Sequence, residues 1–215
     1  HPGCVERRTR FFASQANLGT CEFDGRLSLV AAARGELRLY ARANPATHGQ
    51  RFVQTAASRD GGTSWGPFRF IEIAGYDRAQ GDLYFFAVTR NPVHPRSLLA
   101  LFPLAHKFRG CIGLSVSLDG VKWAAATPLL HCAVHGERTV HHPVQGVLRD
   151  GPDVVVFIHE NVPGVTSDLT PTAAQMAAYP YLKLPRPRLM RHALPADEFL
   201  RWTLRALRTL NDAFE

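Results

Sequence analysis

The sequence predicts an all-β chain of repeated four-stranded antiparallel units, closed by a C-terminal helix. Short apolar runs separated by Gly, Pro, Asn and Asp recur along most of the 215 residues, as expected of strands joined by tight turns. Two of the turns repeat: Ser58 to Trp65 reads SRDGGTSW and Ser117 to Trp123 reads SLDGVKW, with the two serines about 59 residues apart. Beyond Asp197 the period changes to that of an amphipathic helix.

The strands follow in order. Arg26 to Ala33, Glu36 to Ala43, Arg51 to Ser58 and Phe68 to Ile73 form a first set. It turns at Gly35, at Asn44 to Gly49 and at the Asp-Gly-Gly segment. Leu83 to Val88, Ser97 to Leu104, Cys111 to Ser117 and Thr127 to Cys132 form a second set. A third begins with His141 to Leu148 and Asp153 to His159, and its later strands are obscured by Pro180, Pro185, Pro187 and Pro195. Four antiparallel strands repeating at this interval make the blade of a β-propeller, where each sheet packs face to face on the next around a central axis; a sandwich has no such repeat. The propeller is expected over residues 1–195 and the packing helix over residues 196–215. Asp197 would cap that helix, with Phe199, Leu200, Leu204, Leu207 and Leu210 along one side and arginines on the other.

Composition narrows the function. A chain that is 46% hydrophobic and 20% charged can bury a core, and no apolar run reaches the roughly 20 residues of a membrane-spanning helix. The net charge of +7 is carried mainly by arginine, since Lys107, Lys122 and Lys183 are the only lysines. Arginine suits carboxylate or phosphate recognition. Its scatter, outside Arg7, Arg8, Arg10 and the Arg186, Arg188, Arg191 tract, argues against a nucleic-acid surface. Cys4, Cys21, Cys111 and Cys132 form no CxxC pair, and their disulfide state stays open. No metal or cofactor is expected.

Both repeated turns resemble the Asp-box, or BNR repeat, of the sialidase-like propellers, whose pattern is S-x-D-x-G-x-T-W. Ser58, Asp60, Gly62 and Trp65 match it, with Ser64 in place of Thr; the second copy, one residue shorter, keeps Ser117, Asp119, Gly120 and Trp123. The Asp carboxylate would take N–H groups of the turn, Gly would adopt positive φ, and Trp would cover the edge of the blade. The resemblance covers about Glu22 to Val147. It implies a glycoside hydrolase-like propeller whose Asp-boxes are structural and lie on the face opposite the ligand. Three blades of about 59 residues fill most of the chain, whereas propellers typically close with about 4 to 8, and residue 1 is His; the chain is therefore expected to be part of a longer protein.

That orientation selects the ligand face: the start of each first strand, the end of each second and the start of each third. The first blade contributes Glu22, Asp24, Arg26, Arg42, Asn44 and Arg51. The third contributes His141, His142 and Glu160. Glycosidic cleavage usually needs two carboxyl groups. The blade architecture is also similar to that of the five-bladed glycosidases acting on arabinan, xylan or fructan, which use Asp and Glu on the innermost strands; that resemblance implies Asp24 as base or nucleophile and Glu160 as acid, with the others binding a carbohydrate. Structural roles remain open for each: an ordinary turn at Asp24, a salt bridge at Arg42, the opening of a loop at Glu160 and packed imidazoles at His141 and His142. The Arg-Ile-Pro motif of the sialidases is absent, so the expectation is a glycosidase-like propeller rather than a sialidase proper. A non-catalytic glycan- or protein-binding propeller is the alternative.

Overall fold

The structure, a computed structural model, describes residues 27–32, 35–43, 52–76, 82–83, 85–106, 109–130, 140–162, 177 and 188–214. The first predicted set forms a sheet in chain order, β1 (Ser28–Ala31), β2 (Leu37–Ala43), β3 (Phe52–Ser58) and β4 (Arg69–Phe70), all antiparallel. After Ile71 the chain continues as β5 (Glu72–Ile73).

The second set departs from expectation at its first strand. Phe85 adopts a φ of 56°, a left-handed conformation that a bulky residue rarely takes, and it splits the predicted Leu83 to Val88 strand into β6 (Asp82–Leu83) and β7 (Ala87–Arg90). Both pieces pair with β8 (Leu98–His106), which pairs in turn with β9 (Arg109–Ser117). β10 (Lys122–Trp123) leaves its own sheet and runs parallel to β5. There the Glu72 N–H donates to Val121 O at 2.8 Å and the Ala74 N–H to Trp123 O at 2.9 Å. This parallel pair is a separate two-stranded sheet that joins the first set to the second, and the strands within each set pair antiparallel as expected. The cause is the Trp123 ring: it is fully buried between the sheets against Tyr40 and Phe86, at centroid distances of 5.9 and 5.0 Å, and it draws its backbone to the edge of the first sheet. β11 (Thr127–Pro128) is the short fourth strand on β9.

The third sheet is β12 (Val140–Asp150), β13 (Asp153–Val162) and β14 (Arg188–Pro195), in that order. It has three strands among the described residues. Pro195 ends β14 opposite Asp153 instead of interrupting it, at an edge position where the missing N–H costs no ladder bond.

The middle sheet is buried on both faces. Along β8, Leu98, Ala100 and Phe102 join a core with Val30, Tyr40, Phe52 and Trp123 of the first sheet's side. The alternate residues Leu99 and Leu101 join a second core with Val154, Val156, Ile158 and the helix. That double burial explains the nearly continuous apolar run LLALF, because a strand covered on both sides has no polar face to alternate with. The outer faces of the flanking sheets stay open, with Leu29 53% exposed on one and Leu189 63% exposed on the other.

The helix, α1 (Ala196–Phe214), starts one residue before the expected cap. β14 runs straight into it, and the Ala196 N–H donates to Pro152 O at 2.9 Å. Asp197 therefore lies inside the first turn, where its carboxylate meets the positive end of the helix dipole and pairs with Arg201 at 2.8 Å. The buried face is Ala196, Phe199, Thr203, Leu207 and Leu210, while Leu204, expected inside, is 40% exposed. Thr203 replaces it because its hydroxyl accepts a hydrogen bond from buried Asn91 at 3.2 Å.

The two repeated turns are built alike. Ser58 Oγ donates to Asp60 Oδ1 at 2.8 Å and accepts the Gly62 N–H at 2.8 Å. The Ser64 hydroxyl and N–H, with Ser58, hold the Asp60 carboxyl down to about 2. In the second turn the Gly120 N–H donates to Ser117 Oγ at 2.8 Å, and Asp119 Oδ1 accepts the Val121 and Lys122 N–H groups at 2.7 and 2.8 Å. A Cβ on Gly120, whose φ is 74°, would lie 2.5 Å from Arg38 Cδ and 2.6 Å from Tyr40 Oη. Tyr40 donates its hydroxyl to Gly120 O at 2.9 Å, so the second turn is fastened to the first sheet. The tryptophans differ: Trp123 is buried, whereas Trp65 is half-buried and donates to Gly62 O of its own turn at 3.1 Å.

Trp123→Ala is expected to cost about 3 to 5 kcal/mol, the range for a buried aromatic, and Trp65→Ala only about 1 kcal/mol. Urea denaturation of the two variants checks this. Equal losses would mean that Trp123 does not wedge the sheets.

Candidate functional site

Three first strands set the geometry. The hydroxyl of Ser28, at the start of β1, donates to Phe86 O at 3.0 Å and accepts the Val88 N–H at 3.1 Å. At the other end of β1, Arg90 donates to Ala31 O and Ala32 O at 3.3 and 3.1 Å. β1 and β7 thus lie side by side, start to start. The Phe85 ring, just before β7, packs edge-on against His142 at the start of β12, centroids 4.5 Å apart. The starts of all three first strands therefore share one end of the stack.

The register assigns everything else to an end. Ser58 is opposite Leu37 and Ser117 opposite Leu98, which puts both repeated turns beside the starts of the second strands, at the far end. Arg42, opposite Val53 near the end of β2, and His141, His142, Glu160 and Arg188 in the third sheet lie at the near end. Glu22, Asp24, Arg26, Asn44 and Arg51 lie outside the described residues.

Within the third sheet a charged cluster forms. Glu160 Oε2 is gripped by Arg188 through Nε at 3.1 Å and Nη2 at 3.0 Å, two guanidinium N–H groups on one carboxylate. Its Oε1 is 3.3 Å from His192 Nε2. The glutamate side chain is only 12% exposed, the arginine 61%. Half-buried His141 completes the group. Burial holds its pKa below the ordinary 6.5; Glu160 partly offsets this, and Arg188 and His192 add to it. The Arg42 side chain is half-buried, and its carbonyl accepts a hydrogen bond from the buried Gln54 amide at 3.0 Å.

Sequence reasoning brought Glu160, His141 and His142 to one end but missed Arg188 and His192 as their partners. Arg188 stood in a basic tract read only as charge, and His192 carried no pattern. Only the pairing of β14 on β13 brings them in. A largely buried carboxylate with a guanidinium fork and neighbouring imidazoles offers both acceptors and donors to a hydroxyl-rich ligand. Among the described residues no three His, Cys, Asp or Glu side chains are grouped to hold a metal ion.

No family model and no curated protein matches the chain. Among solved structures it is similar to a mutant of the α-L-arabinofuranosidase from Fusarium graminearum in complex with an iminosugar inhibitor. That match has a TM-score of 0.49 and 12% identity over 65% of this chain and 42% of that one. A Hadza microbial sialidase matches with a TM-score of 0.45 and 16% identity, over 63% and 32% of the two chains. The α-L-arabinanase of Penicillium chrysogenum complexed with arabinobiose matches with a TM-score of 0.43 and 15% identity, over 65% and 43%. The chain thus spans less than half the length of these structures, and at these scores the likeness assigns no chemistry to it.

His141 gives a pH prediction. Its pKa is lower in the fold than the ordinary 6.5, so below that pH the unfolded chain binds more protons and stability falls as pH drops. Melting temperatures measured from about pH 7 to about pH 5 should fall less for His141→Gln than for the wild type. Parallel curves would show that His141 is not held neutral by the fold.

Proposed function

We propose that the three sheets are successive blades of a sialidase-like β-propeller and that the chain binds a carbohydrate at the near end, where it hydrolyses a glycosidic bond. What supports this reading is the side-by-side, start-to-start alignment of β1 and β7 and the Phe85–His142 contact that brings the start of β12 to the same end; in a propeller these would be the innermost strands, lining the channel. The two Asp-box turns at the far end support the same orientation. Glu160 and Asp24 form the carboxyl pair, Asp24 lying shortly before β1 in the sequence, and Arg42, His141 and His142 hold the sugar. Glu22, Arg26, Asn44 and Arg51 complete the binding set.

One observation favours a second reading, a glycan-binding platform without turnover. Glu160 already has Arg188 on one oxygen and His192 beside the other, and a general acid must free an oxygen for the leaving group. The two readings separate in a screen of chromogenic sialosides and arabinosides, with a fructan assay, alongside glycan binding by calorimetry. The hydrolase reading expects turnover that falls at least about a hundredfold in Asp24→Asn and Glu160→Gln, with the melting temperature nearly unchanged in Asp24→Asn. Binding without turnover, weakened in Glu160→Gln, supports the platform. Neither binding nor turnover would remove both readings.

A further inference from the structure

The third sheet ends in an edge strand of 8 residues, β14. We propose that this edge pairs antiparallel with the same edge of a second copy of the chain, so that two third sheets become one continuous sheet. The direction of its backbone groups is fixed by its neighbour. The Ala196 N–H donates to Pro152 O at 2.9 Å, in step with the register that sets Pro195 opposite Asp153. In an antiparallel ladder the bonded groups recur at every second residue. Arg188, Met190, His192 and Leu194 therefore turn their N–H and C=O groups toward β13, and Leu189, Arg191 and Ala193 turn theirs outward. Pro195 falls in the outward set, where its missing N–H costs β13 nothing. Among the described residues nothing accepts the N–H groups of Leu189, Arg191 and Ala193. Leu189 is 63% exposed, and Arg191 and Ala193 are exposed with it.

A long open edge is what strand pairing between chains needs. The other edge strands do not offer one: β4, β6 and β11 have 2 residues each, and β1 and β12 lie against β7. The helix leaves the edge clear, because Phe199, Leu207 and Leu210 carry it toward the middle sheet, into one core with Leu114 and Val116. Charge favours an identical edge as the occupant. Arg188 is matched by Glu160 and Arg191 by Asp150 within the chain, so the strand has no unmatched guanidinium to draw an acidic peptide or to repel its own copy. Register then selects one pairing. Residues opposite each other share a face, which leaves a two-fold axis at Arg191 or at His192. The first sets two guanidinium groups directly opposite, which is unfavourable. The second sets Met190 opposite the partner's Leu194, Arg191 opposite the partner's Ala193 and Leu189 opposite the partner's Pro195. Every outward N–H of β14 then meets a carbonyl, and the contact is self-complementary, as a two-fold dimer requires.

The inference does not rest on the hydrolase reading, since it is read without any ligand. Sedimentation equilibrium on the full chain from about 1 to about 100 μM tests it. The wild type is expected to pass from monomer to dimer over that range. Ala193→Pro and Leu189→Pro each remove one outward N–H and no bond to β13, so each should weaken the dimer at least about tenfold, with the melting temperature of the dilute protein nearly unchanged. A chain that stays monomeric throughout, whatever other strand its edge takes, or a dimer equally strong in both proline variants would overturn the proposal.

Discussion

The stack depends on the burial of the middle sheet from both sides. β8 presents Leu98, Ala100 and Phe102 to one core and Leu99 and Leu101 to the other, so neither face can be left to water without losing about 25 cal/mol for each Å² of apolar surface. The first sheet and the third must therefore lie on opposite sides of it. With the sheets in that order, the first strand of each is brought beside the first strand of the next, and Ser28 fixes the relative height of β1 and β7 through its hydroxyl. The near end, with its polar and charged groups, is a consequence of apolar packing elsewhere.

The repeated turns contribute in a different way. Each converts a strand end into a rigid loop by supplying an Asp carboxylate to backbone N–H groups that have no ladder partner. Only the second also joins two sheets. Gly120 allows Tyr40 and Arg38 to approach, Tyr40 bonds its carbonyl, and Trp123 fills the gap that follows. Burial raises the pKa of the Tyr40 hydroxyl far above its ordinary value, so it stays a hydrogen-bond donor across the pH range the protein meets. The first turn, at the outer side of the first sheet, leaves Trp65 half-buried. Similar motifs thus differ in importance because of what packs on them.

Elements whose signal is local were legible in the sequence. The strands of the first set emerge within a few residues of their expected bounds, because turn residues and period-two patterns mark them directly. What was not legible depends on contacts distant in sequence. Phe85 breaks a strand because Phe86 must enter the core beside Tyr40 and Trp123, and nothing in the local pattern records that. β10 pairs with β5 for the same reason. Thr203 lies inside because Asn91 is opposite it. In the site, the position of Glu160 followed from strand order, but its partners Arg188 and His192 required knowing that β14 pairs with β13 across a long separation in sequence.

The central claim is that the starts of the first strands form a ligand site around two carboxyl groups. The most direct measurement is a crystal structure of the chain that shows Asp24 as well as Glu160. The account predicts both carboxyl groups in one cavity at the near end, roughly 5 to 5.5 Å apart for a retaining enzyme or roughly 6.5 to 9.5 Å for an inverting one. Asp24 bonded to the backbone of its own turn, or turned toward the end that carries Asp60 and Asp119, would contradict it.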